Sequence, residues 1–264
     1  MKHIYSALTL IVFALLYCGS ATQKKVPTLL VTPDFDFSPP STAEPGSTGI
    51  KIALFEPMYQ GNFAYSDKSP FKQFRSSMGK DFEEILSARG FIIKGPYDEY
   101  DLMTYSDKNE CELGLFVDIV FNINETSGGW KFMPTSNGCG GTTTYGAGAG
   151  AGAGFSHYEG TLNISGKITL YISETFTRQK LMVKSLTIPQ TDLTVKGEKR
   201  YVDKQGGNTI PLDDPGVHNP IANSLSEFYK STMQRAWDLL VKDDLIRLKD
   251  QVPEIRKNAG FIKH

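Results

Sequence analysis

The sequence predicts an α+β domain: a mainly antiparallel sheet with helices packed on it, opening as strand–helix–strand and closing in C-terminal helices. Three observations carry this. A short aliphatic run, Ile50–Phe55, precedes apolar residues at helical spacing and then a second apolar run after a glycine stop. Two longer stretches, Leu113–Asn124 and Leu162–Ile172, alternate with the period of two that strands require. The last fifth of the chain carries one apolar stripe at helical spacing after an Asn-Pro pair.

Before the domain, Lys2 and His3 lead into an uncharged run from Ile4 to Tyr17 that ends at Cys18-Gly19-Ser20-Ala21. A basic start, an apolar stretch too short to span a bilayer, and small residues after it form an export signal over residues 1–17. Two cuts are open. Leu15-Leu16-Tyr17-Cys18 resembles a lipobox, which would leave Cys18 lipidated with a palmitate-type chain in the outer membrane; Tyr17 departs from the small residue expected there. Cleavage after Gly19-Ser20-Ala21 would instead discard the cysteine. Residues 18–49 hold Pro27, Pro33, Pro39, Pro40 and Pro45 among Ser, Thr and Gly, which reads as an extended tether. Leu29-Leu30-Val31 is apolar enough to dock as a short strand.

The domain proper is expected over residues 50–252. Ile50–Phe55 is a strand stopped by Pro57. Ser69-Pro70 supplies an N-cap with proline at the first helical position, and Phe71, Phe74, Met78, Phe82, Ile85 and Leu86 line one face before Gly90 stops the helix. Phe91-Ile92-Ile93 is the next strand. In Leu113–Asn124, Phe116 and Val120 add apolar groups to the second face, as in a central strand covered on both sides. Leu162–Ile172 is half-buried, Glu174–Gln179 turns the chain, Lys180–Ile188 completes a hairpin, and Leu193-Thr194-Val195 forms a weaker strand. Asn219-Pro220 starts the closing helix, with a break near Asp243-Asp244 and a second helix through Leu245, Ile246 and Leu248. The polar, basic tail at 253–264 has little reason to be ordered.

Composition excludes several function classes. At 40% hydrophobic and 22% charged, with a net charge of −1, the chain can build an ordinary core and offers no electrostatic case for nucleic acid. Of three cysteines, Cys111 and Cys139 remain once Cys18 is set aside, and an even pair in an exported chain reads as a disulfide contributing about 3–4 kcal/mol. His157 and His218 have no metal-ligand spacing, and no Gly-x-Ser-x-Gly or His-Glu-x-x-His motif occurs. Neither an enzyme nor a cofactor is implied. The Gly/Ala alternation at 146–154 lacks the helix and acid that follow a dinucleotide fingerprint, and reads as an insertion between strands.

Residues 126–158 are expected as one long loop, far beyond the usual connection of about 4–6 residues and therefore a place for recognition. Trp130, Lys131, Tyr145 and Tyr158 are its candidate ligand-binding residues, because rings offer flat contact faces and a lysine meets an anion. The same aromatics could instead fold beneath the loop and anchor it.

Lys51–Pro57, Tyr65-Ser66-Asp67, Glu83–Phe91, Gly160–Glu174 and Ala222-Asn223-Ser224-Leu225, taken in order, resemble the neuraminyllactose-binding haemagglutinin family, the flagellar-sheath adhesin lipoproteins. The resemblance implies an outer-membrane lipoprotein that acts by binding a host or surface ligand, with sialylated glycan as the family's named ligand. The family's basic run in the variable loop is missing here, where Lys131 stands alone, so that ligand does not carry over residue by residue. The element order also resembles periplasmic domains of the curli pore and of TolB-type proteins, which implies the alternative of a structural or assembly subunit contacting other envelope proteins.

Overall fold

The computed structural model describes residues 29–134, 154–199 and 210–261. Its strands are β1 (Lys51–Phe55), β2 (Met58–Tyr59), β3 (Ile92–Tyr97), β4 (Leu113–Pro134), β5 (Gly154–Glu174) and β6 (Lys180–Lys199). Its helices are α1 (Phe71–Ala88), α2 (Tyr105–Glu110), α3 (Pro215–Leu239) and α4 (Lys242–Asn258). The α+β class holds. The sheet, however, is mixed: in the order β3-β1-β4-β5-β6, the three long strands run antiparallel, while β1 is parallel to both β3 and β4, and β2 continues parallel beside β4. The cause is the expected strand–helix–strand opening. A helix between two strands returns the chain to the same end of the sheet, so β1 and β3 must be parallel.

Alternation sorts the faces. Leu113, Leu115, Val117, Ile119 and Phe121 of β4 meet Ile172, Leu170, Ile168 and Ile164 of β5 on the face where α1, α3 and α4 pack, in one continuous core. The second face of β4 is covered only at its start, where Phe116 joins a small cluster with Ala53, Phe55, Met103 and Cys111. Farther along, Val120 is exposed. The expectation of a strand covered on both sides therefore holds only near Phe116.

The expected 126–158 loop is overturned at both ends. Pairing passes a bulge at Glu125–Ser127 and resumes from Ser127↔Thr161 out to Pro134↔Gly154. Gly128 and Gly129 take φ of 108° and 124°, and a Cβ at Gly128 would collide with the Glu159 carbonyl and the Gly160 Cα. These glycines serve a bulge, which bends a ladder without ending it. The long β5 also recruits Leu193–Val195 into a single 20-residue β6.

Helix starts shift as well. Ser69 does not cap α1: the helix begins behind Pro70 without a side-chain cap, and the Ser69 hydroxyl meets His218 Nε2 at 2.9 Å. α3 starts at Pro215, capped by Asp214 Oδ1 accepting from the Gly216 amide at 2.8 Å, so Pro220 lies inside the helix. Asn219 is thereby freed for another task, holding the segment before the domain.

That segment is not a loose tether over its described length. Asn219 Nδ2 donates to the Leu29 carbonyl at 3.0 Å and Asn219 Oδ1 accepts from the Val31 amide at 2.8 Å, which fixes the backbone without a strand. Asp34 pairs with Lys230 at 2.6 Å. Phe35 packs on Phe74 and Tyr229 with ring centroids 5.4 and 5.2 Å apart, and Phe37 is buried beside them. Ala43 and Thr48 then bond the end of α1 at Ala88 and Gly90. Residues 29–49 form a strap across α3 and α1.

Beneath the strap, the Tyr229 hydroxyl donates to Asp81 Oδ2 at 2.6 Å. Burial pushes the Asp81 carboxyl up to about 6, partly offset by the Tyr229 bond, with Glu84 and Asp36 adding to the rise. A carboxyl whose folded pKa is raised binds its proton more tightly when folded, so its ionisation destabilises the domain above about pH 6 and that loss is recovered as pH falls from 6 toward 4. Denaturant unfolding should show Asp81 contributing about 1 kcal/mol more stability at pH 5 than at pH 7. Asp81→Asn should flatten that slope; an unchanged slope would show that Asp81 is not its source.

The tail is also ordered farther than expected. α4 continues through Pro253 to Asn258 and buries Val252 and Arg256. Cys111 is a free, fully buried thiol, pushed up to about 11 by burial, and Cys139, its expected disulfide partner, lies outside the described residues.

Candidate functional site

The residues expected to bind a ligand gather at the far end of the β4–β5 pair. Trp130 pairs with Tyr158 and Lys131 with His157 across the two strands. The Trp130 side chain and all of Tyr145 lie outside what is described. Lys131 is exposed and engaged, with Nζ 3.4 Å from Glu159 Oε2, and His157 Nε2 lies 3.6 Å from the same oxygen. Tyr158 is only 1% exposed, and its hydroxyl donates to Glu125 Oε2 at 2.7 Å. It anchors the hairpin against the core rather than presenting a ring to a partner. The strand period placed it there: Tyr158, Leu162 and Ile164 all point to the helix-covered face.

Ser69 and His218 form a contact that their 149-residue separation hides in sequence. A Ser–His pair invites a nucleophilic reading, but its parts are committed elsewhere. His218 is 1% exposed, its Nδ1 faces Asn219 Oδ1 at 3.2 Å, and Asn219 holds the strap. The pair ties the start of α1 to α3. Among the described residues, no group of three or more His, Cys, Asp or Glu side chains has the placement of a metal site.

A cleft of about 210 Å³ opens on the second face of the sheet, where the parallel strands β1 and β3 end. Ligands of open sheets containing parallel strands bind outside those carboxyl ends. Three elements build its floor. Phe116 of β4 stacks on Phe55 of β1 at 4.0 Å and 9°, and on Tyr171 of β5 at 4.9 Å and 2°. Cross-strand pairing of Phe116 with Tyr171 fixes the second stack. Tyr100, in a short 3-10 turn at Tyr100–Leu102, closes one side and donates its hydroxyl to the carbonyls of Thr175 and Phe176.

The rim is acidic: Glu56, Asp98, Glu99, Asp101 and Asp118 line the cleft with one cation, Arg178. Burial raises the Glu56 carboxyl, and Asp98 raises it further against the pull of Arg75. Burial also raises Asp118, offset by Gln60, whose amide donates to Asp118 Oδ1 at 2.8 Å, and by Lys180. Arg178 sits in the β5–β6 turn at φ 60°, a left-handed backbone that glycine would adopt at less cost. Its guanidinium lies 4.4 Å from the Tyr100 ring centre, with Lys108 Nζ 4.0 Å away at the same ring and Lys180 Nζ 4.1 Å from Tyr171. None of the cleft was singled out from sequence. Phe55, Phe116 and Tyr171 read there as strand residues, and only the sheet order brings them together with the acids.

No known family's sequence profile matches the chain, and no curated protein matches it. Among solved structures, it is similar to one from Helicobacter pylori described as a homolog of neuraminyllactose-binding hemagglutinin, at 14% identity and a TM-score of 0.58, covering 85% of this chain and 100% of that one. At that identity the likeness shows a shared fold. A Xanthomonas campestris protein (7% identity, TM-score 0.32, covering 84% of this chain and 96% of its own) and a Neisseria meningitidis lipoprotein (10%, 0.24, 59% and 88%) align too loosely to show more.

Proposed function

We propose that this chain is a non-enzymatic lipoprotein of a bacterial envelope, of the adhesin type, held to the outer membrane by lipid on Cys18 and acting by binding. The observation that carries the reading is the fold likeness to the Helicobacter pylori hemagglutinin homolog over that protein's whole length, joined to the export signal ending at Cys18. Among the described residues no helix is long and apolar enough to cross a membrane.

A sialylated ligand fits the described surfaces poorly. Its carboxylate needs a charge-assisted donor, and Lys131 is already paired with Glu159 while the cleft is rimmed by acids. One observation favours the second reading, an assembly subunit: β6 is a 20-residue edge strand whose outer backbone can pair with another envelope protein.

Metabolic labelling with a palmitate analogue should mark the wild-type chain and not Cys18→Ser. A mature N-terminus at Thr22 would refute the anchor. Protease shaving of intact cells should then release the domain if it acts as an adhesin; protection of the domain, with co-purifying envelope proteins, would select the assembly reading.

A further inference from the structure

We infer that the cleft between the ends of β1 and β3 binds an alkylammonium group, a protonated amine carried on a short apolar chain. The inference rests on reading the chain as a binding protein and names the ligand chemistry of that binding.

The lining dictates the class. Phe55, Phe116 and Tyr171 make an apolar aromatic floor, and five carboxylates face one guanidinium around it. An anion entering this rim would meet repulsion, and a neutral apolar group would desolvate the half-buried Glu56 and Asp118 further without adding a cation. Glu56 and Asp118 already hold their charges at a cost, since burial raises both and Asp98 adds repulsion at Glu56. A cation seated between them removes that cost. The rings here accept cations, as the chain's own Lys108 and Arg178 on Tyr100 and Lys180 on Tyr171 show. A bare metal ion is disfavoured, because the described carboxylates do not converge as a metal site.

Size narrows the occupant. About 210 Å³ falls below the roughly 300–1,000 Å³ of pockets that hold drug-sized ligands, so the cleft takes a small amine or one side chain of something larger. Both sources share the ammonium chemistry. Arg178 acts as a resident competitor: its left-handed backbone is the less favourable choice for a non-glycine residue, and it sets the only guanidinium of the lining 4.4 Å from the Tyr100 ring at the cleft's side.

Titration of the full mature chain, followed by calorimetry and by shifts of the cleft's aromatic resonances, tests this with four probes: cadaverine, Nα-acetyl-lysine N-methylamide, neutral 1-pentanol and anionic glutarate. Both amines should bind saturably, pentanol at least about tenfold more weakly, and glutarate not at all. Tighter binding of cadaverine than of the blocked lysine points to a free amine as the ligand, and the reverse order to a lysine side chain of a protein. Glu56→Gln and Asp118→Asn should each weaken the amines about tenfold. Arg178→Gly should tighten them several-fold while keeping the fold, because glycine suits the turn and the competing cation is gone.

The same substitution has the opposite sign for an anion site, which would lose the one cation of its lining. Glutarate binding that Arg178→Gly abolishes, pentanol binding as well as cadaverine, or no saturable binding of either amine at ~10 mM would each overturn the inference. Lipid labelling at Cys18 is independent of all these readouts, so failure of the cleft and failure of the anchor are separately visible.

Discussion

Arg256→Ala should lower the stability of the domain by about 3–5 kcal/mol, the largest loss expected from any single polar truncation here. Glu174 is fully buried at the β5–β6 turn, with Arg256 Nε 2.7 Å from its Oε1 and the amides of Phe176 and Thr177 donating to its other oxygen. Burial alone would push that carboxyl up; the two amides and the guanidinium outweigh it and hold it below the ordinary range. The Arg256 Nη2 group also reaches Thr175 Oγ1 at 3.0 Å and the Lys108 carbonyl at 3.3 Å. Removing the guanidinium leaves a buried carboxylate and unpaired acceptors. Replacing both partners, as in Glu174→Gln with Arg256→Met, should recover much of the loss, because the cost lies in the orphaned charge. Chemical denaturation of the two variants checks this, and a loss below about 1 kcal/mol for Arg256→Ala would show the pair to be incidental. The depressed Glu174 carboxyl contributes stability that is present above its unfolded pKa, near 4.5, and is lost as pH falls through the lower folded value. It therefore opposes Asp81 on the acid side.

Phe35→Ala should cost about 3 kcal/mol at its site and release the strap. The ring is 8% exposed and fills the gap between Phe74 and Tyr229, so its loss removes one of the two buried rings, with Phe37, that hold residues 29–49. What remains is buried Phe37, the Asn219 bonds, the Ala43 and Thr48 bonds to the end of α1, and the exposed Lys230–Asp34 pair, which is worth little in water. Limited proteolysis should cut the variant between residues 29 and 49 under conditions where the wild type resists. A strap that stays protected would place its hold elsewhere, with Asn219→Ala as the next substitution to compare.

Much of the fold was legible because its code is local. Phe71, Phe74, Met78, Phe82 and Ile85 declare α1 by spacing alone, and the alternation from Leu162 to Ile172 declares β5. What was illegible depends on distant partners. Ser127-Gly128-Gly129 has the composition of a loop, and only the facing residues Glu159–Thr161 make it a bulge within a ladder. Arg256 looks like tail charge until Glu174, 82 residues away, turns it inward. Asn219 looks like a helix cap until Leu29 and Val31 claim its amide. The cleft was hidden for the same reason, since Phe55, Phe116 and Tyr171 meet through the order of the sheet and not through any motif.

The strap has a mechanical consequence. It leaves α3 beside Asn219, near the level where Gly216 abuts Lys196 and where β6, β5 and β4 carry Gly197, Tyr158 and Trp130 side by side. The cleft lies toward the opposite end, at Phe116 and Tyr171, some 40 Å of strand away. Were Cys18 lipidated, the eleven residues from Cys18 to Leu29 would set the reach to the membrane, at most about 38 Å when fully extended. So short a leash, attached at one pole, would give the body a preferred bearing. If Cys18 carries the lipid, the tip of the β4–β5 ribbon would be drawn down toward the headgroups and the aromatic cleft turned toward the space beyond.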